Sequence, residues 1–238
     1  MVNDEVVPQR LQFLQGTQHI KAYKNNMSLR YDMAIILDCG ALDRVGRIAH
    51  LLKSDAPLIN IDHHITNDYF GNINLVKPKA SSTAEILYEL LKAGRCHINN
   101  TIALHLYAGI MTDTGSFRYD NTTPTTLRIA AELKEFKFSA TKLYQQLYEV
   151  IPSSDIKHFA KVVSDFKLHH KGRVATVLLR KSVLSKFSKE FDLRDTIFKL
   201  LRSMAGVEVV VIFTEFKPKQ TRINFRSAGR INVAQLAH

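Results

Sequence analysis

Apolar residues along this chain follow two rhythms. Short unbroken runs at Tyr31–Asp38 and Pro57–Ile61, the second closed by Asp62-His63-His64, predict buried parallel strands. Between them Leu42, Val45, Ile48, Ala49 and Leu52 recur at helical spacing and predict a helix over 41–53. Ser82-Thr83-Ala84-Glu85 fits a capping box, opening a helix to about Lys92 with Gly94 as its stop. An almost wholly apolar helix is expected over 99–111. An amphipathic one follows over 124–136, with Pro124 in its first turn. Leu143 and Leu147, with Tyr144 and Tyr148, make a further helical stripe suited to core packing or to the contact of a homodimer.

The texture changes after Pro152. A Lys-rich helix is expected over 153–165, a strand over 173–180, and helices over 181–187 and 193–201. Residues 207–216 carry the strongest strand signal, and 221–226 can return as its hairpin partner. Alternating strands and helices imply an α/β fold, with a parallel sheet flanked by helices and ligands gathered at the carboxyl ends of its strands. The expected organisation is a domain over 1–150, a connecting helix over 151–167 and a smaller α/β domain over 168–238.

Composition removes several classes. The 238 residues are 45% hydrophobic and 23% charged, which excludes disorder, collagen and coiled coil. No apolar run approaches the roughly 18 residues of a membrane span. Residues 1–5 lack the basic and apolar regions of a secretory leader. Cys39 and Cys96 form neither a disulfide framework nor a C-x-x-C pair, so a reducing cytoplasm is the expected setting. Thirty-three Lys and Arg against 22 Asp and Glu give a net charge of +11, which draws the chain toward phosphate-bearing partners.

Chemistry concentrates in three places. Asp38 ends one strand, Asp62-His63-His64 ends the next, and Asp113 closes an apolar helix in Gly109–Gly115. Carboxylates with imidazole and no thiolate suit Mn²⁺ or Mg²⁺ rather than structural zinc. Of two adjacent histidines one can ligate, while the other meets a phosphate oxygen or protonates a leaving group. Taken singly, a strand-end Asp is usually a turn residue and a His pair is usually solvated. His169-His170, in a basic turn without a preceding Asp, is assigned to solvent. Ser81-Ser82-Thr83 is read as a cap, Arg44 and Arg47 as either a cleft rim or a solvated helix face, and Cys39 as a small buried residue.

With those residues in view, the chain resembles the DHH-family (RecJ-like) phosphoesterases. Within them it is most like the enzymes that act both as oligoribonucleases and as phosphatases of phosphoadenosine phosphate (pAp). Asp38 within Ile35–Gly40 resembles the family's second motif, Asp62-His63-His64 its third, and Gly109–Phe117, continued by Tyr119–Thr123, its fourth. Ile223–Ser227 resembles the DHH-associated C-terminal domain. The resemblance implies two Mn²⁺ or Mg²⁺ ions bridged by Asp38, with His63 and Asp113 ligating one of them. It makes Asp62 an orienting residue behind an imidazole and His64 the catalytic group at the scissile phosphate. Arg226 and Ser227 would hold substrate. Short RNA oligonucleotides and pAp are the implied substrates. Cyclic- or linear-dinucleotide hydrolysis, or a catalytically impaired nucleotide- or single-stranded-RNA-binding remnant, are the alternatives.

Two of the family's features have no counterpart in the sequence. The first motif, a strand followed by a His and two Asp, is missing, as is the glycine-rich C-terminal motif with its histidine. Residues 233–238 read as a helix without a cap. The expectation is therefore a piece of a longer enzyme.

Overall fold

A computed structural model describes residues 1–149, 151–188, 191–217, 220–227 and 231–233. The uncapped helix expected at the C-terminal end falls outside them. The chain divides into two compact units, Met1–Tyr148 and Glu149–His238.

The first unit opens with a small parallel pair, β1 (Val2–Asn3) and β2 (Lys21–Ala22). Its main sheet is three parallel strands, β3 (Ala34–Leu37), β4 (Leu58–Asp62) and β5 (Ile73–Val76), in the order β3-β4-β5. The central strand β4 carries Asn60, Ile61 and Asp62 into the interior. Edge strand β3 leaves Ile35 51% and Leu37 42% exposed. Four helices follow: α1 (Thr83–Ala93), α2 (Asn100–Asp113), α3 (Pro124–Lys134) and α4 (Ala140–Tyr148). Their facing sides build the larger core, in which Ala103, Ile110, Leu133 and Leu143 are sealed from water. Leu143 and Leu147 of the tyrosine stripe belong to that core, and Tyr144 packs against it. A smaller cluster of Ile61, Ala80 and Ile86 joins β4 to α1.

Caps set the helix starts. Ser82, Asn99 and Thr123 each accept a backbone N–H through the side chain, at α1, α2 and α3 respectively. α2 approaches α1 closely where Gly109 meets Ala84, since a Cβ on Gly109 would sit 2.6 Å from that of Ala84. The regular helix expected over 41–53 does not form. Residues Leu42–Leu51 make 3₁₀ turns broken at Gly46, whose φ of 70° takes the chain out of helical space. Arg47 donates to Asp4 Oδ1 at 2.8 Å and to the Asp4 carbonyl at 2.9 Å, so it ties down the N-terminal segment instead of lining a rim. Cys39 is half-buried rather than buried.

The second unit is a mixed sheet in the order β6-β7-β8-β9. Its strands are β6 (Lys167–His169), β7 (Val174–Leu179), β8 (Val209–Lys217) and β9 (Gln220–Ser227). Only β7 and β8 run parallel. β8 and β9 form the expected hairpin, although positions 218 and 219 of its turn lie outside the described residues. α5 (Ile156–Ser164) and α7 (Leu193–Arg202) cover one sheet face, packing Phe159, Ile197 and Leu201 on Ala175, Val177, Val210 and Ile212. A short α6 (Lys181–Leu184) follows β7. His169 and His170 are exposed, and His169 Nε2 lies 3.0 Å from Thr176 Oγ1. No described helix is long and apolar enough to cross a membrane.

Candidate metal centre

The ends of β3, β4 and α2 meet in the first unit. His63 Nε2 lies 3.5 Å from Asp38 Oδ1 and 3.7 Å from Asp113 Oδ2. One donor atom each from Asp38, His63 and His64 also falls within 4.8 Å of the others. Asp38 follows the last residue of β3 with φ of 57°, a left-handed turn that Asp tolerates better than most residues. Asp113 is the final residue of α2.

Each imidazole is fixed by its Nδ1. A carbonyl can only accept, so in the 3.3 Å contact between His63 Nδ1 and the Ala80 oxygen Nδ1 carries a proton, and the bond turns Nε2 toward the carboxylates. His64 Nδ1 lies 2.7 Å from Asp62 Oδ1. Asp62 is fully buried, and Asn67 Nδ2 donates to its other oxygen at 2.6 Å. Burial pushes the Asp62 carboxyl up, but the hydrogen bonds from His64 and Asn67 outweigh it and hold the group below the ordinary aspartate range.

Asp113 shows the opposite balance. Burial and the neighbouring Asp38 carboxylate push it up to about 6, against the pull of His63 and His64. His63 Nε2 thus has a carboxylate oxygen on each side, Asp38 at 3.5 Å and Asp113 at 3.7 Å, although Asp113 is not among the three residues whose donors all lie within 4.8 Å of one another. Both separations are under twice the roughly 2.1 Å bond of a Mg²⁺-sized ion, so a hard divalent cation can touch His63 together with either carboxylate, and oxygen and imidazole donors suit one.

One segment orients all three positions. Residues 80–83 supply the Ala80 carbonyl to His63 and a 2.9 Å hydrogen bond from Thr83 Oγ1 to Asp38 Oδ1. Asn121 Nδ2 then bridges the Ser81 carbonyl at 2.9 Å and the Asp113 carbonyl at 3.2 Å. Beneath them lies Glu85, 4% exposed, whose Oε2 accepts from the Ser81 N–H at 3.2 Å, Ser81 Oγ at 2.5 Å and Thr126 Oγ1 at 2.8 Å. The capping box is thus shifted by one residue: the Glu85 carboxylate reaches Ser81 rather than the cap Ser82. Thr83 and Glu85 carry no sequence signal beyond the cap, Asn67 carries none, and Asn121 has only its place in the segment that continues the fourth motif; the Thr83–Asp38 contact spans 45 positions.

Arg226 and Ser227 end β9 in the second unit. The Arg226 guanidinium carbon sits 5.4 Å from the centre of the Phe198 ring.

Residues 3–110 match the DHH family, N-terminal domain. It is 33% identical over 204 residues to the Bacillus subtilis protein named bifunctional oligoribonuclease and PAP phosphatase NrnA, covering 84% of this chain and 64% of the relative. It is 32% identical over 180 residues to the Thermus thermophilus protein of the same name, covering 76% of this chain and 53% of that relative. The chain therefore spans less than two thirds of either relative's length. A crystal structure of an exopolyphosphatase-related protein from Bacteroides fragilis shares the fold, with a TM-score of 0.88 at 24% identity, covering 99% of this chain and 72% of that one.

Proposed function

We propose that this chain is a large part of a metal-dependent phosphoesterase that hydrolyses short oligoribonucleotides and pAp. The observation that carries the reading is the position of His63 Nε2 between the carboxylates of Asp38 and Asp113, with its Nδ1 held by the Ala80 carbonyl. The family and the activities in the names of its relatives support the substrate class.

In this reading Asp38, His63 and Asp113 would hold Mn²⁺ or Mg²⁺. Bound there, the ions would neutralise phosphate charge and make water more acidic. The chain's own groups do the rest. His64 is held by Asp62 through Nδ1, which leaves Nε2 to meet a phosphate oxygen and to pass a proton to the departing one. Arg226 and Ser227 hold substrate phosphate, the guanidinium suiting paired oxygens. A cytoplasmic setting and a homodimer accompany the proposal.

The test is release of phosphate from pAp, and of mononucleotide from a diribonucleotide, by the chain with Mn²⁺ and with EDTA. Turnover with Mn²⁺ that Asp113→Ala abolishes supports the reading. Equal rates in EDTA, or an Asp113→Ala rate matching the native one, refute it.

A further inference from the structure

The net charge of +11 is not shared evenly between the units. Seventeen Lys and Arg face eight Asp and Glu in residues 149–238, a net +9, whereas the first unit balances sixteen against fourteen. On the second unit a pocket of about 460 Å³ opens between α5, β6, β7 and α6. That volume lies in the range of small-molecule sites. Lys161, Lys167, Arg180 and Lys186 line it from four different segments. None of the four pairs with a carboxylate among the described residues, and Asp165 is the sole acidic residue in the lining. Like charges gathered without counter-ions repel one another, and an arriving anion relieves that repulsion.

The floor has a different chemistry. Leu178 and Phe213 are register partners on adjacent strands β7 and β8, so their side chains lie side by side on the sheet face away from α7. Leu178 is 55% exposed, an unusual state for a sheet leucine. Val177, on the face that α5 and α7 cover, lines the pocket as well, so the pocket wraps round the edge of β7 past the end of its pairing with β6. An apolar platform ringed by cations suits a ligand with a flat ring at one end and a phosphate at the other. Arg226, on β9 at the opposite edge of the sheet, does not line this pocket.

We propose that this pocket binds a nucleoside phosphate, with the base over Leu178 and Phe213 and the phosphate among the four cations. It is a second phosphate site, independent of the metal cluster in the first unit. The ligand is either a free nucleotide or a nucleotide within an RNA strand, since both present the same base and phosphate.

The experiment titrates the full chain, in EDTA so that nothing turns over, against a 5′-phosphorylated hexaribonucleotide labelled at its 3′ end, read by fluorescence anisotropy. Lys167→Ala/Arg180→Ala should weaken binding at least tenfold. The slope of log affinity against log salt should also fall by about 1.4, from roughly 0.7 per phosphate contact on single strands. Lys171→Ala/Lys181→Ala, an exposed pair outside the pocket, should stay within twofold. Displacement of the label by AMP identifies the free nucleotide as a ligand. Failure of AMP, with the pocket dependence intact, identifies the strand. Equal losses in both double variants, no loss in either, or no binding by the native chain would overturn the proposal. EDTA removes metal-dependent turnover from the readout, so this inference and the proposed activity fail separately.

Discussion

The Thr83 hydroxyl donates a 2.9 Å hydrogen bond to Asp38 Oδ1, joining the first turn of α1 to the residue that ends β3. Thr83 is 5% exposed, and its bond fixes the same Asp38 oxygen that lies 3.5 Å from His63 Nε2. A ligand held in this way has less rotational freedom to lose when a cation arrives.

Thr83→Val keeps the shape and removes the donor. Mn²⁺ affinity, followed by loss of the free-ion electron paramagnetic resonance signal, should fall roughly tenfold or more, as for other residues that orient metal ligands. Thr83→Ser should restore it. Native affinity in Thr83→Val would show that Asp38 needs no support from α1.

Glu85 is the buried foundation of that segment. Glu85→Gln puts a donor group where Ser81 and Thr126 both need an acceptor, and should destabilise the fold by about 1–3 kcal/mol. The urea midpoint measures it. An unshifted midpoint would mean that the three hydrogen bonds to its carboxylate add nothing net.

At Gly109 two effects oppose. Alanine raises helix propensity by about 1 kcal/mol over glycine. The new Cβ would lie 2.6 Å from that of Ala84, and neither atom can rotate away. Overpacking costs about 1–3 kcal/mol, so the clash should win and Gly109→Ala should lower Tm. Adding Ala84→Gly removes the clash and should recover most of the loss. Without that recovery, the close helix approach is not the cause.

Asp155 sets an acid-sensitive point in the second unit. It is 2% exposed and accepts from Ser188 Oγ at 2.6 Å, the Ser188 N–H at 2.9 Å and Ser154 Oγ at 2.9 Å. The Ser188 hydroxyl leads the effects holding this carboxyl below its usual value of 3.8. A carboxyl lowered by folding stabilises fully above its unfolded value, and that contribution disappears as pH falls through the folded one. Ser188→Ala should therefore destabilise the chain at pH 7, with the gap from the native protein narrowing toward pH 2. Urea midpoints at several pH values test this, and a gap constant with pH would contradict it.

Sequence reasoning reached furthest where local rules suffice. The cap at Ser82 is legible because a side chain three residues from a free N–H needs no distant partner. The strand ending at Asp62 is legible because a buried parallel strand is apolar. β3 reads the same way from its run of four apolar residues, although it is an edge strand with Ile35 and Leu37 exposed and not the buried strand expected there. Edge strand β5, Ile73–Val76, escaped notice because its run is short and broken by Asn74. β6 hides for a related reason: Lys167, Leu168 and His169 are all exposed. Asp38, His63 and Asp113 could be singled out by residue type. The supports beneath them could not, because the Thr83–Asp38 and Asn121–Ser81 contacts join residues 40 or more positions apart.

Strand β3 bonds to β4 along one side, while Ile35 and Leu37 stand open to solvent. A bare margin of this kind exposes peptide groups beside greasy side chains, the combination from which strands accrete. The chain in isolation consequently carries a seed for aggregation at that border. A neighbouring polypeptide laid along β3 would quench it, hiding the two side chains and occupying the vacant amides in a single stroke.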